Sequence, residues 1–159
     1  MKKTEVTIIV PSYNQQEFLP DAVESALGQT TRCEVIVVDD GSSDHSLEIA
    51  RGYEQHGVKV VSQVNKGLPS TRNTGIMNAK GDYILFLDAD DILNDDCVEK
   101  LLKVAERTKA DVVAPSFKTF GTANELVILM EAPTIADFKM GNRLGYCALI
   151  RKDTLLEVG

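Results

Sequence analysis

Residues 83–91, YILFLDADD, join a run of apolar and aromatic side chains to a cluster of aspartates. A continuous apolar run bounded by polar residues predicts a strand that is buried on both faces, as in a parallel sheet. Asp88 and Asp90 are two positions apart at the end of this strand, so an extended backbone would point both carboxylates the same way. Two unpartnered carboxylates raise each other's pKa, and a divalent cation such as Mg²⁺ or Mn²⁺ removes the repulsion. The stretch therefore predicts a buried strand that leads into a metal site.

The alternative for this cluster is a solvated acidic loop whose aspartates cap the next helix. Asp95 and Asp96 fit that capping role better than a metal role, because they immediately precede a segment of helical periodicity. An EF-hand calcium loop does not fit the sequence, because Leu93 occupies the position that needs glycine and a strand precedes the loop.

Outward from this stretch, apolar runs alternate with segments of helical spacing. The predicted strands are residues 6–10 (ended by Pro11), 33–40, 58–63, 82–90 and 111–117. The predicted helices are residues 17–29, 42–57, a segment within 65–81 that Gly81 closes, and 95–110. Weaker signals predict strands at 125–130 and 145–151 and helices at 134–141 and 152–159.

This alternation predicts an α/β fold, with a Rossmann-like, mostly parallel sheet flanked by helices, in a single domain over residues 1–159. Right-handed crossovers place the carboxyl ends of parallel strands at one edge of such a sheet, where ligands bind. The segments 11–14, 39–43, 66–72 and 88–91 all follow predicted strands. We therefore expect these four segments to converge on one site.

Composition narrows the class of protein. The 17 basic and 24 acidic residues leave a net charge of −7, which argues against a nucleic-acid partner. The three cysteines are odd in number and form no CxxC pair, so free thiols in a reducing compartment are expected. The apolar run at the N-terminus is too short for a signal peptide or a membrane span. These features predict a cytoplasmic protein and are compatible with peripheral attachment at the inner face of a membrane.

The other strand-end clusters suit a nucleotide ligand. Asp39 and Asp40 can accept hydrogen bonds from a base N–H or a ribose hydroxyl, or can cap the next helix. We expect one of the two to bind the ligand and the other to cap the helix. Lys66 and Arg72 lie beside a predicted helix start and could neutralise a diphosphate, although no Walker GK[ST] sequence occurs. Tyr13 could stack on a base or simply pack.

Taken together, the motifs VPSYN, VVDDGSSD, NKGLPSTRNTGI and YILFLDADD, in this order and spacing, resemble the nucleotide-sugar glycosyltransferases of family 2, which have the GT-A fold. The resemblance covers almost the whole chain. It implies that Pro11 and Tyr13 line a nucleoside pocket and that Asp40, or alternatively Asp39, reads the base. Thr71 stands where the family usually has alanine, which is a small change.

The resemblance also implies roles on the diphosphate side. Arg72 would lie near the base or the diphosphate, Asp88 would touch ribose or metal, and Asp90 would hold Mn²⁺ or Mg²⁺ through the diphosphate. Residues 145–159 resemble the stretch that precedes a Gly-Gly-Phe-Asp-Glu segment in the family, and the family's general base lies further downstream. We therefore expect a donor-binding portion without its base. Asp137 and Asp153 match no base motif, and surface exposure is the simpler interpretation of both.

The function implied is metal-dependent, inverting transfer of a sugar from a nucleoside-diphosphate sugar, with UDP-sugars favoured, to a hydroxyl of a saccharide or lipid-linked saccharide. One alternative is a nucleotide-sugar-binding fragment without turnover. Another is a nucleotidyltransferase, which would need a Gly-rich basic loop where this chain has PSYNQQEF. A receiver domain would need paired acids after the first strand, and the chain has none there.

Overall fold

Strands and helices alternate along residues 5–121, 124–127 and 147–158, the part of the chain that the computed structural model describes. The strands are β1 (Val6–Ser12), β2 (Glu34–Asp39), β3 (Lys59–Ser62), β4 (Tyr83–Phe86), β5 (Val112–Val113), β6 (Phe117–Lys118), β7 (Leu126–Val127) and β8 (Leu149–Arg151). The helices are α1 (Leu19–Leu27), α2 (Ser46–Gly52), α3 (Leu68–Asn78), α4 (Cys97–Thr108) and α5 (Lys152–Val158), with a 3₁₀ turn at Glu54–His56.

Six of these strands form one sheet in the order β3-β2-β1-β4-β8-β5. The four strands from β3 to β4 pair in parallel, whereas β8 runs antiparallel to both of its neighbours. Asp39 on β2 is in register with Ser12 on β1 and with Ser62 on β3, so these strands end together. The mostly parallel α/β sheet predicted from the sequence is confirmed, and its carboxyl edge gathers the predicted site segments.

Helices cover both faces of the sheet because neighbouring strand residues point in opposite directions. Ile8 belongs to the apolar cluster that also contains residues of α1 and α4, whereas Ile9 belongs to the cluster that contains Ile76 of α3. The predicted apolar face of α4 is confirmed, since each of its four residues is buried: Val98, Leu101, Leu102 and Ala105. In the described part of the chain, each helix is too short or too polar to extend across a lipid bilayer.

The prediction that Pro11 ends the first strand is wrong, because β1 continues through Pro11 to Ser12. Pairing with β4 stops at Ile9, which is opposite Phe86, so at Pro11 only β2 still flanks the strand. Proline lacks an N–H, but here that N–H would point toward the side where the ladder has already ended. The strand therefore extends to Ser12 at the carboxyl edge of the sheet, where the predicted site segments lie.

The third helix ends at Asn78, so the prediction that Gly81 closes it is also wrong. The amide of Lys80 donates to Glu34 Oε2 at 2.7 Å, and the amide of Gly81 donates to Thr7 Oγ1 at 2.9 Å. Both amides are therefore bound to the sheet and cannot continue the helix. Gly81 serves a close approach instead, since a Cβ there would lie 2.6 Å from the Thr7 nitrogen.

Other observed element boundaries differ from the predicted ones, because a short strand forms only where a neighbouring strand pairs with it. The predicted strand at 111–117 is two separate strands, β5 and β6, which lie on either side of Pro115 and pair with β8 and β7 respectively. The predicted helix at 42–57 is confirmed as α2 followed by the 3₁₀ turn. The predicted helix at 134–141, and Asp137 within it, lie outside the described residues.

Candidate functional site

A cleft of about 370 Å³ opens at the carboxyl edge of β1, β2 and β4, beside the start of α3. Helix N-termini present free N–H groups and a partial positive charge, which favours anions nearby. The cleft is lined by Pro11, Ser12, Tyr13, Gln15, Asp40, Asn65, Gly67, Leu68, Thr71, Asp88, Ala89 and Asp90.

Five of the residues singled out in the sequence line this cleft: Pro11, Tyr13, Asp40, Asp88 and Asp90. Asp40 and Asp90 therefore share one opening, although they are far apart in the sequence. Three others, Asp39, Lys66 and Arg72, do not line it. Asp153, considered from the sequence as a base, is exposed and lies 3.6 Å from Arg151, away from the cleft.

The loop after β1 is held by side chains of the loop after β2. Asn14 adopts a positive φ of 54°, its backbone amide donates to Ser42 Oγ at 3.0 Å, and its side-chain Oδ1 accepts from the Ser43 amide at 2.8 Å. Asp44 accepts hydrogen bonds from the amides of Gln16 and Ser46. Burial acts to raise the pKa of Asp44, but these hydrogen bonds outweigh it and lower that pKa. This network presents Tyr13, which is 49% exposed, at the cleft.

Asp39 and Asp40 follow each other in the chain but make different contacts. Asp39 is buried and accepts from Ser62 Oγ at 3.2 Å and from the Ser42 amide at 3.3 Å, so it stabilises the turn. Gly41 has a φ of 72°, and a Cβ there would lie 2.9 Å from the nitrogen of Asn65, so the turn requires glycine.

Asp40 binds the loop that leads into α3. Its carboxylate accepts from Gln63 Nε2 at 2.7 Å, the Lys66 amide at 2.9 Å and the Gly67 amide at 2.8 Å. Burial acts to raise the pKa of Asp40, but the hydrogen bonds outweigh it and the pKa lies below its ordinary value. Lys66 thus contacts Asp40 through its backbone, while its side chain is exposed.

Arg72 reaches the site through Asp88. Its Nη2 lies 2.8 Å from Asp88 Oδ1, and its guanidinium carbon lies 5.3 Å from the centre of the Phe86 ring. The sequence indicated Arg72 as a cation near a diphosphate but could not indicate this carboxylate partner.

The acidic segment after β4 is a turn and not an extended strand end, so the expectation that Asp88 and Asp90 point the same way through extended geometry is wrong. The ladder ends where the Leu87 amide donates to Ile9 O, and the Asp91 amide then closes a turn by donating to Asp88 O at 3.0 Å. The pKa of Asp91 is raised, first by burial and then by the charges of Asp90 and Asp88.

The oxygen donors of this turn suit a hard divalent cation. Carboxylates such as those of Asp88 and Asp90 are ligands that Mg²⁺ and Mn²⁺ prefer. Among the described residues, no group of three or more His, Cys, Asp and Glu side chains is placed to hold a metal ion. A cation here would need further ligands, which phosphate oxygens and water commonly supply. The residues therefore fit a cation that binds together with a diphosphate.

A second, larger cavity of about 460 Å³ lies on the other side of the same acidic turn. Its walls include the apolar side chains of Leu87, Ile92, Phe117 and Leu126, and Asp91 is the one aspartate among its lining residues. Cys97 and Cys147 also line it, and burial raises the pKa of each thiol. The strand-end carboxylates that suit a nucleotide are concentrated in the first cleft.

Sequence reasoning missed several residues of the cleft. Asn65, Gly67 and Leu68 belong to the NKGLPSTRN motif. Their position next to Lys66, which was selected from the sequence, could have indicated that they also lie at the site. Ser12 was read only as part of PSYN. Its Oγ is buried and has no hydrogen-bond partner.

Comparisons with known proteins identify the family and the fold of this chain. Residues 7–157 match the family described as glycosyl transferase family 2. The uncharacterized glycosyltransferase EpsJ of Bacillus subtilis (strain 168) is 42% identical over 115 residues, which are 70% of this chain and 33% of EpsJ. The chain thus spans about a third of the length of that relative.

Two solved structures share the fold. S. aureus TarS 1-349 in complex with UDP superposes with a TM-score of 0.82 at 24% identity, over 98% of this chain and 49% of that chain. The mannosyltransferase PcManGT of Pyrobaculum calidifontis, in complex with GDP-Man and Mn²⁺, gives a TM-score of 0.74 at 20% identity, over 100% of this chain and 48% of that chain. The architecture is that of GT-A glycosyltransferases. On the family match over residues 7–157, the chain belongs to glycosyltransferase family 2.

Proposed function

We propose that this chain binds a nucleoside-diphosphate sugar, with UDP-sugars favoured, in the cleft at the carboxyl edge of the sheet. It would take part in transferring the sugar to a hydroxyl of a saccharide or lipid-linked saccharide, with inversion at the anomeric carbon. The observation that carries the proposal is the shared cleft of Tyr13, Asp40, Asp88 and Asp90. Family membership and the UDP bound by TarS support it.

The chain's own residues suggest how the donor is held. The exposed ring of Tyr13 offers a face for a base, because base–aromatic stacking tolerates any base. Asp40 Oδ2 accepts a hydrogen bond from the Gly67 amide, and the carboxylate lines the cleft, where it can also accept one from a base N–H. The first turn of α3 lies beside the cleft and favours the diphosphate charge.

The acidic turn contributes Asp88 and Asp90 to the same cleft. Asp90 would hold a divalent cation, which would neutralise charge on the departing nucleoside diphosphate when bound. The general base that removes the proton of the acceptor hydroxyl would be a residue outside this cleft.

Isothermal titration calorimetry with UDP tests the proposal. We expect UDP to bind when Mn²⁺ is present and to bind at least about tenfold more weakly with a chelator or in Asp90→Asn, because losing part of a metal site typically costs that much. Asp95→Asn is the matched control, since its side chain lies outside the cleft and its backbone O keeps the bond from the Thr30 amide. Equal UDP affinity in all four samples would contradict the proposal.

Turnover needs a separate experiment, because a binding-only role would pass the first. The assay measures UDP released from a UDP-sugar in the presence and absence of candidate saccharide acceptors. Release that depends on an acceptor supports transfer. Tight UDP binding without release under any acceptor would favour the binding-only alternative.

A further inference from the structure

Asp88 is already paired with a cation of the protein itself. Its Oδ1 lies 2.8 Å from Arg72 Nη2, and the two side chains are only 24% and 28% exposed. An ion pair that is mostly shielded from water is screened less by salt than a surface pair. The cationic partner of Asp88 is part of the protein itself and is present whether or not a ligand is bound.

The guanidinium of Arg72 lies over the aromatic ring of Phe86. The distance of 5.3 Å from its carbon to the ring centre is within the range of a cation–π contact. The Nε of Arg72 is buried and has no hydrogen-bond partner. Leaving a buried donor unpaired is unfavourable, so the contacts with Asp88 and Phe86 must compensate for it. Arg72 is therefore positioned toward Asp88 by its surroundings.

Arg72 contacts Asp88 through Oδ1, and the positive charge of its guanidinium lowers the affinity of the whole carboxylate for a metal ion. Asp90 is exposed at the cleft, and Asp91 lies in the wall of the second cavity. With Asp88 Oδ1 paired with Arg72, Asp90 is the carboxylate of this turn that lines the cleft without a hydrogen bond or ion pair in the described part of the chain. A single carboxylate holds Mg²⁺ or Mn²⁺ weakly unless phosphate oxygens complete the coordination.

We propose that Arg72 withholds Asp88 from the metal, so that a divalent cation binds this chain only together with a nucleotide diphosphate. The inference rests on the proposed function, since it concerns the same cleft. Arg72 is in this view a positioning residue that acts through Asp88. It makes cation binding depend on the donor and prevents occupation of the cleft by the cation alone.

Titration of Mn²⁺ alone, followed by electron paramagnetic resonance of the free ion, tests the inference without activity. Wild-type protein without nucleotide should leave millimolar Mn²⁺ essentially free. Arg72→Gln should bind Mn²⁺ alone at least about tenfold more tightly, because an opposite charge at this distance changes the affinity of a carboxylate for a cation by that factor or more. Arg72→Gln combined with Asp88→Asn should return to the wild-type result.

Arg151→Gln is the matched control, because Arg151 also pairs with an aspartate, Asp111, but far from the cleft. It should leave Mn²⁺ binding unchanged. Circular dichroism and a thermal melt verify that each variant is folded. If Arg72→Gln does not fold, Arg72→Lys replaces it, because the ammonium loses the planar contact with Phe86 and should give a smaller gain in the same direction.

Tight binding of Mn²⁺ alone by the wild type would overturn the inference, as would an Arg72 variant without any gain or a gain that persists after Asp88→Asn. These results are distinguishable from failure of the proposed function. If the wild type binds UDP with Mn²⁺ but the Arg72 variant gains nothing, the inference alone is wrong. If UDP does not bind the wild type even with Mn²⁺, the proposed function is wrong as well.

Discussion

Asp40 Oδ2 accepts a hydrogen bond from the Gly67 amide at 2.8 Å, across a sequence distance of 27 residues. Gly67 is the N-cap residue of α3 and has a φ of 84°. The same carboxylate therefore fixes the start of α3 and lines the cleft beside it. Structure and proposed donor binding meet in this one side chain, so a change at Asp40 should affect both.

Asp40→Ala should destabilise the protein by about 3 kcal/mol, because three donors would lose a charged acceptor. These donors are the backbone amides of Lys66 and Gly67 and the side-chain amide of Gln63. Urea unfolding monitored by circular dichroism measures the change. Asp95→Ala, which removes an exposed carboxylate outside the cleft, should change the free energy of unfolding little. Equal stabilities of the two variants would show that the Asp40 contacts contribute nothing net.

Acid should destabilise the protein through Asp40 and Asp44. The pKa of each is lowered in the folded state, so the unfolded chain binds more protons as the pH falls. The stability that they contribute is present above the unfolded pKa of about 4 and is lost as the pH drops through the lower folded value. The free energy of unfolding, measured by urea titration from about pH 6 to pH 3, should therefore decrease.

Asp40→Asn provides the comparison for this pH series. Because asparagine does not titrate, the variant should start from a lower stability at neutral pH and should decrease less on acidification. A wild-type curve parallel to that of the variant would mean that the Asp40 pKa is not lowered.

Tyr13→Ala should weaken UDP binding by about tenfold, because stacking of a base on an aromatic ring contributes roughly 1–3 kcal/mol. Calorimetry with Mn²⁺ present measures the affinity. Tyr13→Phe keeps the ring and should stay close to the wild type. If alanine and phenylalanine variants lose the same affinity, the hydroxyl and not the ring face contacts the ligand.

Gly75→Ala should destabilise the protein by about 1–3 kcal/mol, although alanine is the better helix former. The added Cβ would lie 2.4 Å from Cγ2 of Ile9, which is fully buried in the sheet. Thermal and urea unfolding measure the effect. Gly52→Ala at the end of α2 is the matched control, since nothing lies within 4 Å of its added Cβ. That variant should be neutral or more stable, and similar losses in both variants would contradict the packing argument.

Much of the fold was predictable because it depends on patterns repeated along the chain. The apolar face of α4 and the buried runs of β1, β2 and β4 have the periodicity of the elements they form. Boundaries were less predictable where distant groups determine them. The end of α3 depends on the carboxylate of Glu34 and the hydroxyl of Thr7, which local sequence cannot indicate.

Some features of the site were likewise predictable from the sequence, and others were not. Tyr13, Asp40, Asp88 and Asp90 could be selected because each follows a strand, and strand ends of a parallel sheet meet. The pairing of Arg72 with Asp88 and the turn at residues 88–91 could not, since both depend on how α3 packs beside β4 and on where the ladder stops.

The amino-acid sequence by itself determined the family, the alternating α/β order and the segments that carry polar chemistry, because local periodicity and strand-end motifs are properties of consecutive residues. Only the tertiary structure decided which strand-end carboxylates are bound by other parts of the chain. Asp39 is committed to a turn, Asp40 to the start of α3 and Asp88 to Arg72, whereas Asp90 remains exposed at the cleft. The physical reason is that hydrogen bonds and ion pairs are made between neighbours in space, and folding chose those neighbours from distant parts of the chain.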